Sequence, residues 1–147
     1  MSLKTVVSQV KTVPKNTPVG YGGAFVTQRE TKIATVPIGY ADGYLRALGD
    51  QASMLINGKR VPVIGRICMD QTMLDISDLD DVKENTVVTV FGKDGDDEIT
   101  VEELAGIVKT INYEILCLMS KRIPRLYIRH GEQIGQLNYL CPREIFD

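Results

Sequence analysis

The sequence has 147 residues, 44% of them hydrophobic and 24% charged, with a net charge of −2. That is one domain's length with apolar residues enough for a sizeable core, and without a basic stripe it gives nucleic acid and anionic membrane nothing to bind. Its apolar stretches are interrupted too often to span a bilayer, no secretory signal precedes the first strand, and Cys68, Cys117 and Cys141 form no Cys-x-x-Cys pair, which predicts neither disulfide framework nor zinc site and a cytoplasmic setting.

Residues 5–13 are rich in β-branched side chains and predict a strand, followed by a turn over 14–18. Val19-Gly20-Tyr21-Gly22-Gly23-Ala24-Phe25 sets a tyrosine among three glycines and passes into a strand through about residue 28. Residues 32–36 form another strand, which delivers the chain into Val36-Pro37-Ile38-Gly39-Tyr40-Ala41-Asp42-Gly43-Tyr44-Leu45-Arg46. Asn57-Gly58, between apolar runs at 53–56 and 60–64, is a strong hairpin signal because both residues tolerate φ > 0. Pro62 cannot donate to a ladder, so its strand lies at an edge or a bulge. Strands are expected at 72–76 and 86–91, then an acidic, solvated turn over 92–98 without the ligand spacing of a calcium loop. Thr100 with Glu103 makes a capping box for an amphipathic helix over 101–109. Asn112 caps a second short helix through 118, Pro124 bars its continuation, and strands follow at 125–129 and 136–140. The sum is a mainly β domain, a small barrel or sandwich, with two short helices late in the chain.

Side chains able to line a site gather in few places: Tyr21 among its glycines, Tyr40 with Arg46, the run Arg66 to Asp70, and Ile111-Asn112-Tyr113. The 36–46 stretch is also readable as a surface turn whose Asp42 and Arg46 pair with neighbours. A tyrosine serves as general base only if something holds its phenolate, since its ordinary pKa is near 10; Arg46, Arg66 and Lys121 are the candidate cations. His130 is the sole histidine, which removes Ser-His-Asp and Cys-His catalysis unless a partner supplies the base. Gly20-Tyr21-Gly22-Gly23 leads to a strand and not a helix, so it is no nucleotide loop. Neither a metal cluster nor a phosphate cradle is expected. These are the parts of half an active site.

The Tyr21 and Tyr40 motifs, together with Val63-Ile64-Gly65-Arg66-Ile67-Cys68-Met69-Asp70-Gln71 and Ile111-Asn112-Tyr113-Glu114, closely resemble the carboxy-terminal domain of bacterial alanine racemase over about residues 3–129. In that family an amino-terminal α/β barrel carries pyridoxal phosphate on a lysine, and this β domain follows it. The resemblance implies a head-to-tail homodimer in which the β domain completes the site of the second subunit's barrel, interconverting L- and D-alanine and so supplying D-alanine for cell-wall peptidoglycan. Tyr21 corresponds to the catalytic tyrosine that takes the α-proton of L-alanine, while the barrel lysine serves D-alanine. The backbone N–H of Met69 corresponds to a donor to the substrate carboxylate. Tyr40 and Tyr113 correspond to the inner ring of the substrate entryway, Arg46, Arg66 and Ile111 to the next ring, and Asp70 to a residue shaping the Met69 loop. Residues 1–147 are then the β domain without its barrel, expected to bind no cofactor and to be inactive alone. Serine-racemising relatives share this domain, and a stand-alone interaction or ligand-binding β domain is the rival reading. Gly20 stands where Ser is frequent in the family, and Lys121 where Tyr is frequent.

Overall fold

The computed structural model describes residues 1–141. The first expected strand divides into β1 (Leu3–Val6) and β2 (Gln9–Val13). The break falls where the chain changes partners: Val7 N donates to Thr86 O at 2.9 Å, whereas Ser8 N donates to Thr35 O at 2.9 Å. Val7 is buried at this corner, so the split anchors the bend in the core.

The chain continues through β3 (Pro18–Val19), β4 (Phe25–Val26), β5 (Thr31–Val36), β6 (Ser53–Ile56), β7 (Lys59–Pro62), β8 (Thr72–Asp75), β9 (Val87–Asp94) and β10 (Asp97–Ile99). Helices α1 (Val101–Val108) and α2 (Asn112–Leu118) follow, then β11 (Arg125–Arg129) and β12 (Glu132–Leu137). One antiparallel sheet runs β1-β9-β6-β7, with β10 on β9; a second runs β2-β5-β8. They join at two corners, the β1–β2 bend and a single Val63–Leu74 bridge. The expected mainly β domain with two helices is therefore present, as open sheets wrapped round one core, with no ladder closing into a barrel among the described residues.

Asn57 and Gly58 both take positive φ, at 51° and 72°, as the hairpin between β6 and β7 requires. Pro62 sits in the edge strand β7. The acidic segment 92–98 corrects the expectation of a loose turn: β9 runs on to Asp94 and pairs with β10 in register, Asp94 opposite Asp97. Arg60 offsets the acidity there, binding Asp97 at 2.9 Å and Glu103 at 2.7 Å. Only half of the capping box forms in consequence: Glu103 N donates to Thr100 Oγ1 at 3.0 Å, while the Glu103 carboxylate is taken by Arg60. The last hairpin spans β11 and β12, so the final strand starts earlier than expected; His130 and Gly131 turn it with φ of 52° and 85°, and all five residues of β11 are exposed.

Met54, Leu55, Ile56, Val88, Val90 and Leu74 are fully buried at the centre of the main core. A smaller cluster of Val13, Val19, Ile33 and Ile64, with Phe25 and Met73 against it, lies under the Tyr21 loop.

Candidate functional site

The small cluster explains why Tyr21 faces outward. Val19 and Phe25 pair across β3 and β4 and both pack inward, which pins the two ends of the intervening loop. Between them Gly20 and Gly22 each hold a φ of 72°, a left-handed conformation that costs a side-chain-bearing residue but not glycine. The resulting short 3₁₀ turn, Tyr21–Gly23, projects a phenol ring that is 73% exposed. Arg66 lies against this turn: a Cβ on Gly22 would come within 2.9 Å of Arg66 Nη1. A cation is thus held beside the loop. Arg66 also lines an open depression of about 410 Å³ with Arg46 and Ala47, and neither arginine has an ion-pair partner among the described residues. Lys121, the other candidate cation, instead places Nζ 5.4 Å from the centre of the Tyr139 ring.

β5 ends in a tight turn at Tyr40–Asp42 that meets the 66–71 loop backbone to backbone. Tyr40 N donates to Cys68 O at 3.1 Å and Ala41 N to Met69 O at 3.0 Å. In a trans peptide the C=O and the following N–H point in opposite directions. Fixing Cys68 O on the Tyr40 turn therefore aims the Met69 N–H away from it. That N–H has no acceptor among the described residues, and Met69 is 54% exposed. Cys68 N closes the loop on Gln71 O at 2.9 Å, and the buried Thr72 hydroxyl donates to Ile38 O at 2.7 Å. Gly39 is required by this approach, since a Cβ there would lie 2.3 Å from Cys68 O.

Of the two tyrosines in the 36–46 stretch, Tyr40 is exposed and Tyr44 belongs to the core. Burial pushes the Tyr44 phenol upward, and its hydroxyl has no partner among the described residues. Asp42 does not pair with Arg46. It is buried, its Oδ2 accepts from Gly39 N at 3.0 Å, and its Oδ1 lies 3.5 Å from Arg122 Nε. Arg122 also donates to Asp70 at 2.6 Å. The Asp70 hydrogen bond first, and the charge of Asp42 second, strengthen the hold of the Arg122 guanidinium on its proton.

Ile111 precedes α2 as its N-cap residue, a position expected for Asn112. Asn112 is the first helical residue; it donates to Glu102 at 2.7 Å and accepts from Tyr113 N at 2.9 Å, which ties α2 to α1. The ring of Tyr113 is 71% exposed and Ile111 is exposed beside it. The other end of α2 touches the Tyr40 turn: a Cβ on Gly43 would meet Leu118 O at 2.3 Å. The structure thus joins Arg66 and Arg46 around one depression, with Arg66 also against the turn that carries Tyr21, and Tyr40, Met69 and Asp70 in one paired loop, with Ile111 and Tyr113 at the opposite end of a helix packed on that loop. Sequence reasoning missed Arg122, whose link to Asp70 crosses fifty-two positions of chain. A larger groove, of about 480 Å³, lies along Lys11, Thr35 and Met73 on the β2-β5-β8 sheet and includes neither Tyr40 nor Met69.

Residues 1–127 match the family described as "Alanine racemase, C-terminal domain". Among curated proteins, the chain is 52% identical over 128 residues to an alanine racemase of Methanococcus maripaludis, covering 87% of this chain and 34% of the relative. It is 48% identical to alanine racemase 1 of Clostridium acetobutylicum, covering 95% and 36%. Among solved structures it superposes on the alanine racemase of Bacillus anthracis with bound L-Ala-P at a TM-score of 0.90 and 45% identity, covering 95% of this chain and 35% of that one. The alanine racemase of Bartonella henselae, with covalently bound pyridoxal phosphate, gives a TM-score of 0.81 at 34% identity, covering 86% and 34%. The chain spans about a third of the length of the curated relatives it matches. With the family model matched over residues 1–127 and the fold shared with these racemases, the chain belongs to the alanine racemase C-terminal domain family.

Proposed function

We propose that residues 1–147 act as the carboxy-terminal β domain of a pyridoxal-phosphate-dependent alanine racemase, together with an amino-terminal α/β barrel. The observation that carries this reading is the pairing of an outward tyrosine held by glycines, Tyr21, with an unengaged backbone donor, Met69 N–H. Each is of use only to something outside this chain.

The described residues do not fit a phosphate cradle of their own. Gly20–Gly23 leads into β4 and not into a helix, so this loop presents no helix N-terminus to a phosphate. The cofactor belongs with the barrel, and bound there it supplies the electron sink that makes an α-proton removable. The residues of this chain do the rest. Tyr21 Oη accepts the α-proton of L-alanine on one face and returns it from that face in the reverse direction. Met69 N–H donates to the substrate carboxylate; a backbone donor does not titrate and is already oriented by Cys68 O. Tyr40 and Tyr113 narrow the approach, Arg46, Arg66 and Ile111 line it further out, and Asp70 shapes the Met69 loop.

Racemisation needs a base on each face of a planar carbon, and a tyrosine this exposed can reach into a second subunit. The β domain therefore serves its partner's barrel in a head-to-tail homodimer, and the enzyme works in the cytoplasm. Mixing whole racemase carrying Tyr21→Phe with a barrel-lysine variant tests this. If half the dimers are mixed, about a quarter of wild-type activity returns, because one of the two sites in each mixed dimer has both bases. No recovery despite verified exchange refutes the shared site.

A further inference from the structure

Arg122 carries none of the roles given above, yet it reaches both loops that form the site. Its Nη2 donates to Asp70 Oδ1 at 2.6 Å, and its Nε lies 3.5 Å from Asp42 Oδ1. Its backbone is tethered to the same place: Arg122 N donates to Ser120 Oγ at 3.1 Å, and Ser120 N donates to Asp42 O at 3.1 Å. Asp42 is a firm anchor, because it is buried and its second oxygen is bound by Gly39 N. Asp70 is exposed, and Arg122 is its only side-chain partner among the described residues.

We propose that Arg122 is a positioning residue, which by bridging buried Asp42 to Asp70 fixes the loop bearing the Met69 N–H and so sets how tightly the substrate carboxylate is held. The proposal rests on the racemase reading. On its inner side the loop is fixed through carbonyls, Cys68 O and Met69 O, to the Tyr40 turn. Its outer side is fixed through the Asp70 side chain alone, by a charge-assisted hydrogen bond of the stronger kind. Without Arg122, two carboxylates that share one guanidinium would face each other, and the exposed one would withdraw with its loop. Lysine cannot replace it fully, since a point charge lacks the fork that spans two acceptors.

A carboxylate contact is made equally in the bound substrate and in the transition state, so its loss falls on KM more than on kcat. In the whole racemase, Arg122→Met is expected to raise the KM for alanine about tenfold with kcat within about threefold of wild type. Arg122→Lys falls between the two. Asp70→Ala, which removes the acceptor, reproduces the KM effect, and Asp70→Asn, which keeps an uncharged acceptor, shows part of it. The double variant Arg122→Met/Asp70→Ala adds little to either alone, because both act on the Arg122–Asp70 bond. Tyr21→Phe is measured in parallel. If it turns over normally, the racemase reading itself fails. If it is inactive while Arg122→Lys and Asp70→Ala keep the wild-type KM, the positioning role is overturned and the racemase reading stands. A fall in kcat and melting temperature at unchanged KM overturns it too, and should Arg122→Met not fold, Arg122→Lys and Asp70→Ala decide.

Discussion

Replacing Gly39 by alanine adds one methyl group where the Tyr40 turn closes on the backbone of the 66–71 loop. Gly39 has φ of −154°, which any residue adopts, so the perturbation is purely steric. The new Cβ would lie 2.3 Å from Cys68 O, 2.5 Å from Met69 O and 2.6 Å from Met69 C. All are main-chain atoms, so no side chain can rotate to relieve the clash. The two segments must part by most of an ångström, and that breaks the Tyr40 N–Cys68 O and Ala41 N–Met69 O hydrogen bonds. At about 1 kcal/mol each, with about 1–3 kcal/mol for overpacking, the loss is roughly 3–5 kcal/mol. Denaturant unfolding reads it as a lower midpoint at constant slope. Gly106→Ala is the control: it lies inside α1 with nothing within 4 Å of the added atom, and should gain about 0.5–1 kcal/mol. A Gly39→Ala cost below about 0.5 kcal/mol, the usual scatter of surface substitutions, would refute the claim that these backbones clamp the Met69 loop.

Thr72→Val keeps the shape of a fully buried residue but leaves Ile38 O without its donor, and should cost about 1–3 kcal/mol by the same unfolding assay. Arg60→Met should show a pH signature. The Arg60 hydrogen bond first, and the Glu98 backbone second, hold the Asp97 carboxyl below its usual range. A depressed carboxylate adds stability above its unfolded pKa and loses it as pH falls through its folded value. The stability gap between wild type and Arg60→Met should thus be open at neutral pH and shrink below about pH 3.9; a gap that widens in acid would contradict it.

Local chemistry carried most of the fold. Asn57-Gly58 specified its hairpin, Pro62 its edge, Thr100 its cap, and the glycines round Tyr21 an exposed ring, because each acts through its immediate neighbours. What the sequence hid depends on distant partners. The first strand divides because residues 7 and 8 find acceptors in different sheets. The acidic 92–98 segment forms a hairpin because Arg60 neutralises it from another strand. Asp42 was expected to pair with a neighbour, and the partner it finds, Arg122, lies far along the chain. The motifs singled out the candidate loops, but the aim of the Met69 N–H follows from a hydrogen bond between residues 40 and 68 that no spacing rule reveals.

Stereospecific exchange of the α-proton in deuterated water tests the role of Tyr21 most directly. Whole racemase carrying Tyr21→Phe keeps the ring's packing and loses only the phenolic oxygen. It should still exchange the α-proton of D-alanine through the barrel lysine, while exchange from L-alanine falls by about a hundredfold or more, the worth of a positioned general base. Equal exchange from both enantiomers, at the wild-type rate or at a common reduced one, would contradict the assignment of Tyr21 as the base on the L face.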